Sequence, residues 1–247
     1  MARFGRWRGM IPPLLSIVLL LPFGGPPAAA YDGSVSVNHT AFDTACIGWN
    51  DPYPHKMVTA AAAAYARLGY ATGQLWDGAF AKAAFLRRMP TDWGVYVHSH
   101  GDLYWNPDGS RYSGFREDAD RCSGNVVYSK EIAAARTGRA SNLVVMSTCH
   151  LGEANTTMPA AFAIPKTQAY FTSPFFYLGY VGSAYDSDEW IFEQAFWNAL
   201  AAGRNAGTAF DIASQGAFYH ASFDAQWWGS YAYTGKAGPI TTCRYCI

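Results

Sequence analysis

The chain has 247 residues, with 18 basic and 18 acidic side chains that cancel to no net charge. Without a basic excess there is neither phosphate neutralisation nor a polybasic patch, which argues against nucleic-acid and anionic-membrane binding. Aromatic residues make up 16% and charged residues only 15%, a balance expected of a heavily buried fold.

Residues 1–30 read as a secretory signal peptide. Arg3, Arg6 and Arg8 open it, Ile11 to Leu21 supply a short apolar core, and Ala28-Ala29-Ala30 offer a small-residue cleavage site. Cleavage after Ala30 would leave residues 31–247 as one exported domain with 15 basic against 18 acidic side chains, a net charge of −3. No later stretch is long and apolar enough to span a bilayer, so no membrane association is expected after cleavage.

One strand is expected between Tyr31 and Asn50. Asp51-Pro52-Tyr53-Pro54 starts a helix that continues through the alanine-rich Ala60–Leu68 and closes at Gly69. Leu75 to Met89, with Leu75, Phe80, Ala84 and Phe85, predicts a second helix stopped by Pro90. Gly94 to Val97 is a strand, and 106–124, which contains Asn106-Pro107-Asp108-Gly109, reads as a loop. Ser129 caps a helix to Ala135, and Leu143 to Met146 is a strong strand. Ala169–Phe171 and Phe175–Val181 read as further strands. Ser187 opens a helix that turns Trp190, Ile191, Phe192, Phe196, Trp197 and Leu200 inward. Another helix runs from about Asn205 to Phe218. The aromatic C-terminal stretch carries no clear element. Alternating helices and strands predict an α/β fold in three layers, a mainly parallel central sheet with helices on both faces.

All five cysteines, Cys46, Cys122, Cys149, Cys243 and Cys246, lie beyond the signal segment. In an oxidising compartment four of them pair and one is left over. Cys149, at the end of a buried strand, is the odd thiol. Cys46, Cys122, Cys243 and Cys246 then form two disulfides in one of three connectivities.

Two apolar strands end in chemistry-bearing turns: Val95-Tyr96-Val97-His98-Ser99-His100-Gly101, and Leu143-Val144-Val145-Met146-Ser147-Thr148-Cys149-His150-Leu151-Gly152. If they are parallel neighbours, a thiol and an imidazole meet at the carboxyl edge of one sheet, where α/β folds place their ligands. Cys149 would be the nucleophile, His100 the general acid and base, and the Gly101 amide an oxyanion donor. His98, two residues before His100, shares its face on an extended strand and is the fallback base. Asp102 is an orienting group or an exposed loop acid, and His150 is structural. Asp186, Asp188 and Glu189 either read a basic substrate side chain or are acids favoured at a helix start. Trp227 and Trp228 are either a ligand platform or buried.

The two blocks, their order and the 49-residue gap between His100 and Cys149 resemble the caspase-like cysteine peptidases, the group of caspases, gingipains and CHAT-type domains. Ser147-Thr148-Cys149-x-x-Gly152 is nearest the CHAT-type form. Tyr177 to Gly182 and the stretch from Phe196 to Gly203 are similar too, so that the likeness covers about Met57 to Ala217. The resemblance implies a caspase-like sandwich that hydrolyses peptide or protein substrates through a Cys149/His100 dyad, with no cofactor and no metal. It departs from the caspases in lacking a recognisable arginine pocket. Two rivals remain: a non-catalytic module of the same fold that binds glycan or protein, and a metal-dependent hydrolase using His98, His100 and Asp102.

Overall fold

The computed structural model describes residues 31–37, 52–105, 108–117, 125–170, 174–217 and 224–236. The predicted signal segment and the four cysteines predicted to pair lie outside the described residues.

The strands at the centre are those whose sequence is apolar up to a single polar residue at the end. β3 (Gly94–His98) and β7 (Leu143–Ser147) are buried at all five residues, as a parallel strand covered on both faces must be. With β1 (Tyr31–Val37), β2 (Tyr70–Trp76), β8 (Gln168–Ala169), β9 (Phe176–Tyr180) and β10 (Ala225–Ser230) they form a seven-stranded sheet, ordered β2-β1-β3-β7-β9-β10-β8. The pairs from β2 to β9 are all parallel; β10 runs antiparallel to β9, and β8 parallel to β10.

Alternation along these strands builds two cores. Tyr96, Leu143, Val145, Leu178 and Tyr180 face one side. There α1 (Tyr53–Arg67), α5 (Asp186–Ala201) and α6 (Ala206–Ala217) cover them with Met57, Tyr65, Phe192, Phe196 and Ala209. Val95, Val97, Val144, Met146 and Tyr177 face the other side. They meet α2 (Lys82–Arg88), α3 (Ser129–Arg136) and α4 (Met158–Ala161) through Phe85, Ile132 and Met158. The fold is therefore a three-layer α/β sandwich with a mainly parallel sheet.

Several local expectations are corrected. The helix expected over 75–89 is reduced to Lys82–Arg88. Its first part is strand β2 and a single 3-10 turn at Asp77–Ala79. Pairing with β1 along all seven residues outweighs the weak helical pattern of that segment. The loop expected over 106–124 contains β5 (Arg111–Arg116), which pairs antiparallel with β4 (Gly101–Trp105) and with β6 (Val126–Tyr128) in a second, three-stranded sheet. Its charges misled because Arg111 and Arg116 stand at half-buried strand positions while Ser113 and Phe115 are buried. Ser129 is the first residue of α3 rather than its cap, and the Glu131 carboxylate accepts the Tyr128 N–H at 2.9 Å. In α5, Phe192, Phe196, Trp197 and Leu200 are buried as expected. Trp190 and Ile191 are only half-buried, and Glu189 and Glu193 take places in the interior.

Candidate active site

The register of the two central strands positions the site. β3 and β7 run side by side from Gly94 opposite Leu143 to His98 opposite Ser147. A last rung follows, with the Ser99 N–H donating to the Ser147 carbonyl at 3.2 Å. His100 and Cys149 are each two residues beyond the paired His98 and Ser147, at the carboxyl edge of the sheet.

The chains then part. The Arg116 N–H donates to the His100 carbonyl at 2.9 Å, drawing the half-buried His100 and the β4 that follows it into the three-stranded sheet. The Cys149 turn instead bends over the end of β9, where the His150 N–H donates to the Gly182 carbonyl at 2.9 Å and the Gly152 N–H to that of Tyr180 at 2.6 Å. His150 takes a left-handed backbone at φ 64°, and its Nδ1 meets Glu153 Oε1 at 2.5 Å. Gly152 packs against the backbone of Gly179 so closely that a Cβ would overlap it. At Gly101 a Cβ would lie 2.6 Å from the Cys149 carbonyl oxygen and 2.9 Å from Thr148. The side-chain space at Gly101 is thus taken by the Thr148-Cys149 turn, not left open for a substrate.

Cys149 is half-buried and is a free thiol. Its sulfur accepts the Ala184 N–H at 3.4 Å and faces the Ala184 carbonyl at 3.8 Å. Burial pushes the thiol pKa up and the contact with Ala184 lowers it; the Glu189 and Asp186 carboxylates push it up again. These surroundings favour the thiol over the thiolate.

His98 is buried, with its ring fixed on both sides. Nδ1 lies 3.0 Å from Ser147 Oγ, and that hydroxyl donates its proton to Glu189 Oε2 at 3.1 Å. Nε2 faces Asp186 Oδ1 at 3.7 Å. Burial, and then the negative charges of Asp186 and Glu193, raise the Glu189 pKa well above the usual carboxylate range. Behind it Glu193 accepts from Tyr96 at 2.8 Å, Tyr180 at 2.9 Å and Trp197 at 3.4 Å.

Glu189, one of the three acids suggested for reading a substrate side chain, is turned inward to Ser147 and His98. Asp186 and Asp188 are half-buried in the first turn of α5. Sequence reasoning missed this buried acid layer, although Glu189, Glu193 and Trp197 recur at four-residue spacing on the apolar stripe of α5, a pattern that marks acids inside a core. His98, His100 and Asp102 are not assembled as a metal set. Asp102 is exposed and its Oδ1 accepts the N–H of its own neighbour Leu103 at 2.6 Å. Among the described residues the one His, Cys or acid triad whose ligand atoms lie within 4.8 Å of one another is His98, Asp186 and Glu189. Trp227 and Trp228 are buried, against Phe176 and Tyr177 respectively, and form no open platform. Beside the Cys149 turn a cavity of about 610 Å³ is bounded by Gly152, Val181, Lys166, Asp224 and Trp228.

No family model matches the sequence, and no curated protein matches it. Solved structures are similar in the path of the chain. Protein GSU0716 from Geobacter sulfurreducens matches at 10% identity with a TM-score of 0.48, over 86% of this chain and 98% of that one. Caspase-1 from Spodoptera frugiperda matches at 13% identity with a TM-score of 0.44, over 84% of this chain and 93% of that one.

Proposed function

We propose that the chain is an exported, caspase-like cysteine peptidase, of the CHAT-type branch, that cleaves peptide bonds through Cys149 and His100. The observation that carries this reading is the register: a free thiol and a His-Gly turn follow the same paired rung of two adjacent parallel strands.

In the reaction the sulfur attacks the scissile carbonyl carbon as its proton passes to the His100 imidazole. A C–S bond forms and the carbonyl electron pair moves to oxygen, where the amides of Gly101 and Cys149 receive it. Collapse of that oxyanion breaks the C–N bond, and the leaving amine takes the proton from the imidazolium. Water, deprotonated by the same ring, then hydrolyses the thioester and returns the thiol. The raised thiol pKa favours this coupled proton transfer over a standing thiolate. Support for Gly101 as a donor comes from the ladder: the His100 carbonyl is bonded to Arg116, and alternation in an antiparallel pair turns the next amide away from β5. The cavity beside Gly152 offers space for a substrate side chain.

The raised thiol pKa and the nearby acids also favour a second reading, a non-catalytic module in which Cys149 is inert. Turnover of a peptide library separates the two. Cys149→Ala is expected to abolish cleavage with a nearly unchanged melting temperature, and His100→Ala to lower kcat/KM by about 10²–10⁴-fold. Cleavage that survives Cys149→Ala overturns the peptidase reading.

A further inference from the structure

The end of β3 and the start of α5 bring three metal-ligating side chains to one point. His98 is the last residue of β3, in register with Ser147 at the end of β7. Asp186 and Glu189, three residues apart, share one side of the first turn of α5. His98 Nε2 lies 3.7 Å from Asp186 Oδ1, and Nδ1 lies 3.5 Å from Glu189 Oε2. One donor atom from each of the three lies within 4.8 Å of the others. The 3.7 Å separation is too long for a hydrogen bond. It is close to the spacing of about 3.4 Å between two donors that each stand about 2.1 Å from one tetrahedral ion. The imidazole is oriented as ligating histidines are, by a partner on its other nitrogen. Here Nδ1 is 3.0 Å from Ser147 Oγ, and the same hydroxyl donates to Glu189 Oε2 at 3.1 Å, so that one serine steadies two of the three donors. His98 and Glu189 are buried while Asp186 is only half-buried, which leaves an ion a way in from solvent.

We propose that His98, Asp186 and Glu189 hold a divalent transition-metal ion of the zinc type, with water completing its shell. An imidazole beside two carboxylates is a donor set that Zn²⁺ accepts, whereas Ca²⁺ and Mg²⁺ demand larger shells made of oxygen. The set includes neither Cys149 nor His100, and it shares only His98 with the group His98, His100 and Asp102 that the fold leaves unassembled. The ion acts as a clip between elements rather than as a reagent: it ties the end of β3 to the first turn of α5. Ala184, whose N–H meets the Cys149 sulfur at 3.4 Å, stands just before that turn, so the clip steadies the segment that lies against the thiol. The site stands whether or not Cys149 is a nucleophile.

The test uses the purified protein without a histidine tag, stripped with a chelator and titrated with zinc chloride in a calorimeter. One ion per chain is expected to bind, to raise the melting temperature as a ligand of the folded state must, and to slow amide hydrogen exchange over 184–189. Asp186→Asn changes a half-buried position that the fold tolerates, and is expected to weaken binding by more than about 100-fold. Ser147→Ala, which removes only the group that steadies the donors, is expected to weaken it by about 10–100-fold. Cys149→Ala is expected to bind zinc as the parent does, and Co²⁺ in the parent protein to give no thiolate charge-transfer band. Absence of stoichiometric binding overturns the site, as does affinity unchanged in Asp186→Asn. Binding lost in Cys149→Ala assigns the ion to the thiol and overturns it too. Zinc affinity is read without any substrate, so a protein that cleaves no peptide and still binds the ion through Asp186 keeps this site and removes only the peptidase.

Discussion

The chemistry of single side chains here is governed by which charges the sheet edge brings near them. Cys149 has its pKa raised by burial and by two carboxylates, and one of these, Glu189, is inside the protein. A thiol raised in the folded state is neutral there when the unfolded thiol has begun to ionise. It therefore leaves stability untouched below its ordinary value of 9.0 and lowers it as pH rises through and beyond that value. Glu189→Gln removes one of the negative charges. The midpoint of the Cys149 alkylation rate against pH is expected to move down in that variant, as measured with iodoacetamide on the folded protein. An unmoved midpoint would mean that Glu189 does not reach the sulfur.

Among the elements, α5 does two jobs. Its aromatic stripe closes the core: Phe196 is fully buried and stacks on Phe176 at 6.1 Å and Phe192 at 6.3 Å. Phe196→Ala is expected to cost about 3–5 kcal/mol in denaturant unfolding, whereas Trp190→Ala, at a half-buried position, costs much less. Its acids form a buried polar layer against the sheet. Tyr96, Tyr180 and Trp197 give Glu193 donors enough to be tolerated inside, and Ser147 links Glu189 to His98. The helix thus holds His98 rigidly below the turn that carries His100, which leaves the two histidines of one short motif in different surroundings.

At the scale of the whole molecule, two apolar clusters lie back to back across β3, β7 and β9, while β4, β5 and β6 form a smaller sheet at the edge. Regional stability follows buried contacts. Hydrogen exchange of the full chain is expected to be slowest in 94–98, 143–147 and 176–180 and faster in 101–105 and 111–116. Equal protection in both sheets would show a single cooperative unit extending to the rim of the site. No helix among the described residues is long and apolar enough to cross a membrane.

Much of this arrangement was legible in the chain itself. The runs Gly94–Val97 and Leu143–Met146 announce buried strands because every position is apolar, and such runs need cover on both faces. Their polar endings mark where each strand stops, so that parallel neighbours would carry His100 and Cys149 to one edge, and it is the β3–β7 pairing that makes them neighbours. What only the tertiary structure decided is what depends on a distant partner. Tyr70–Trp76 becomes a strand because β1 lies beside it, and Arg111–Arg116 because β4 and β6 flank it. The antiparallel sense of β10 depends on its pairing with β9. The inward turn of Glu189 and Glu193 likewise follows from Ser147, Tyr96 and Tyr180 waiting across the core. A periodicity is written along the chain; the donor that makes a buried carboxylate tolerable, or the neighbour that completes a ladder, is set only by folding.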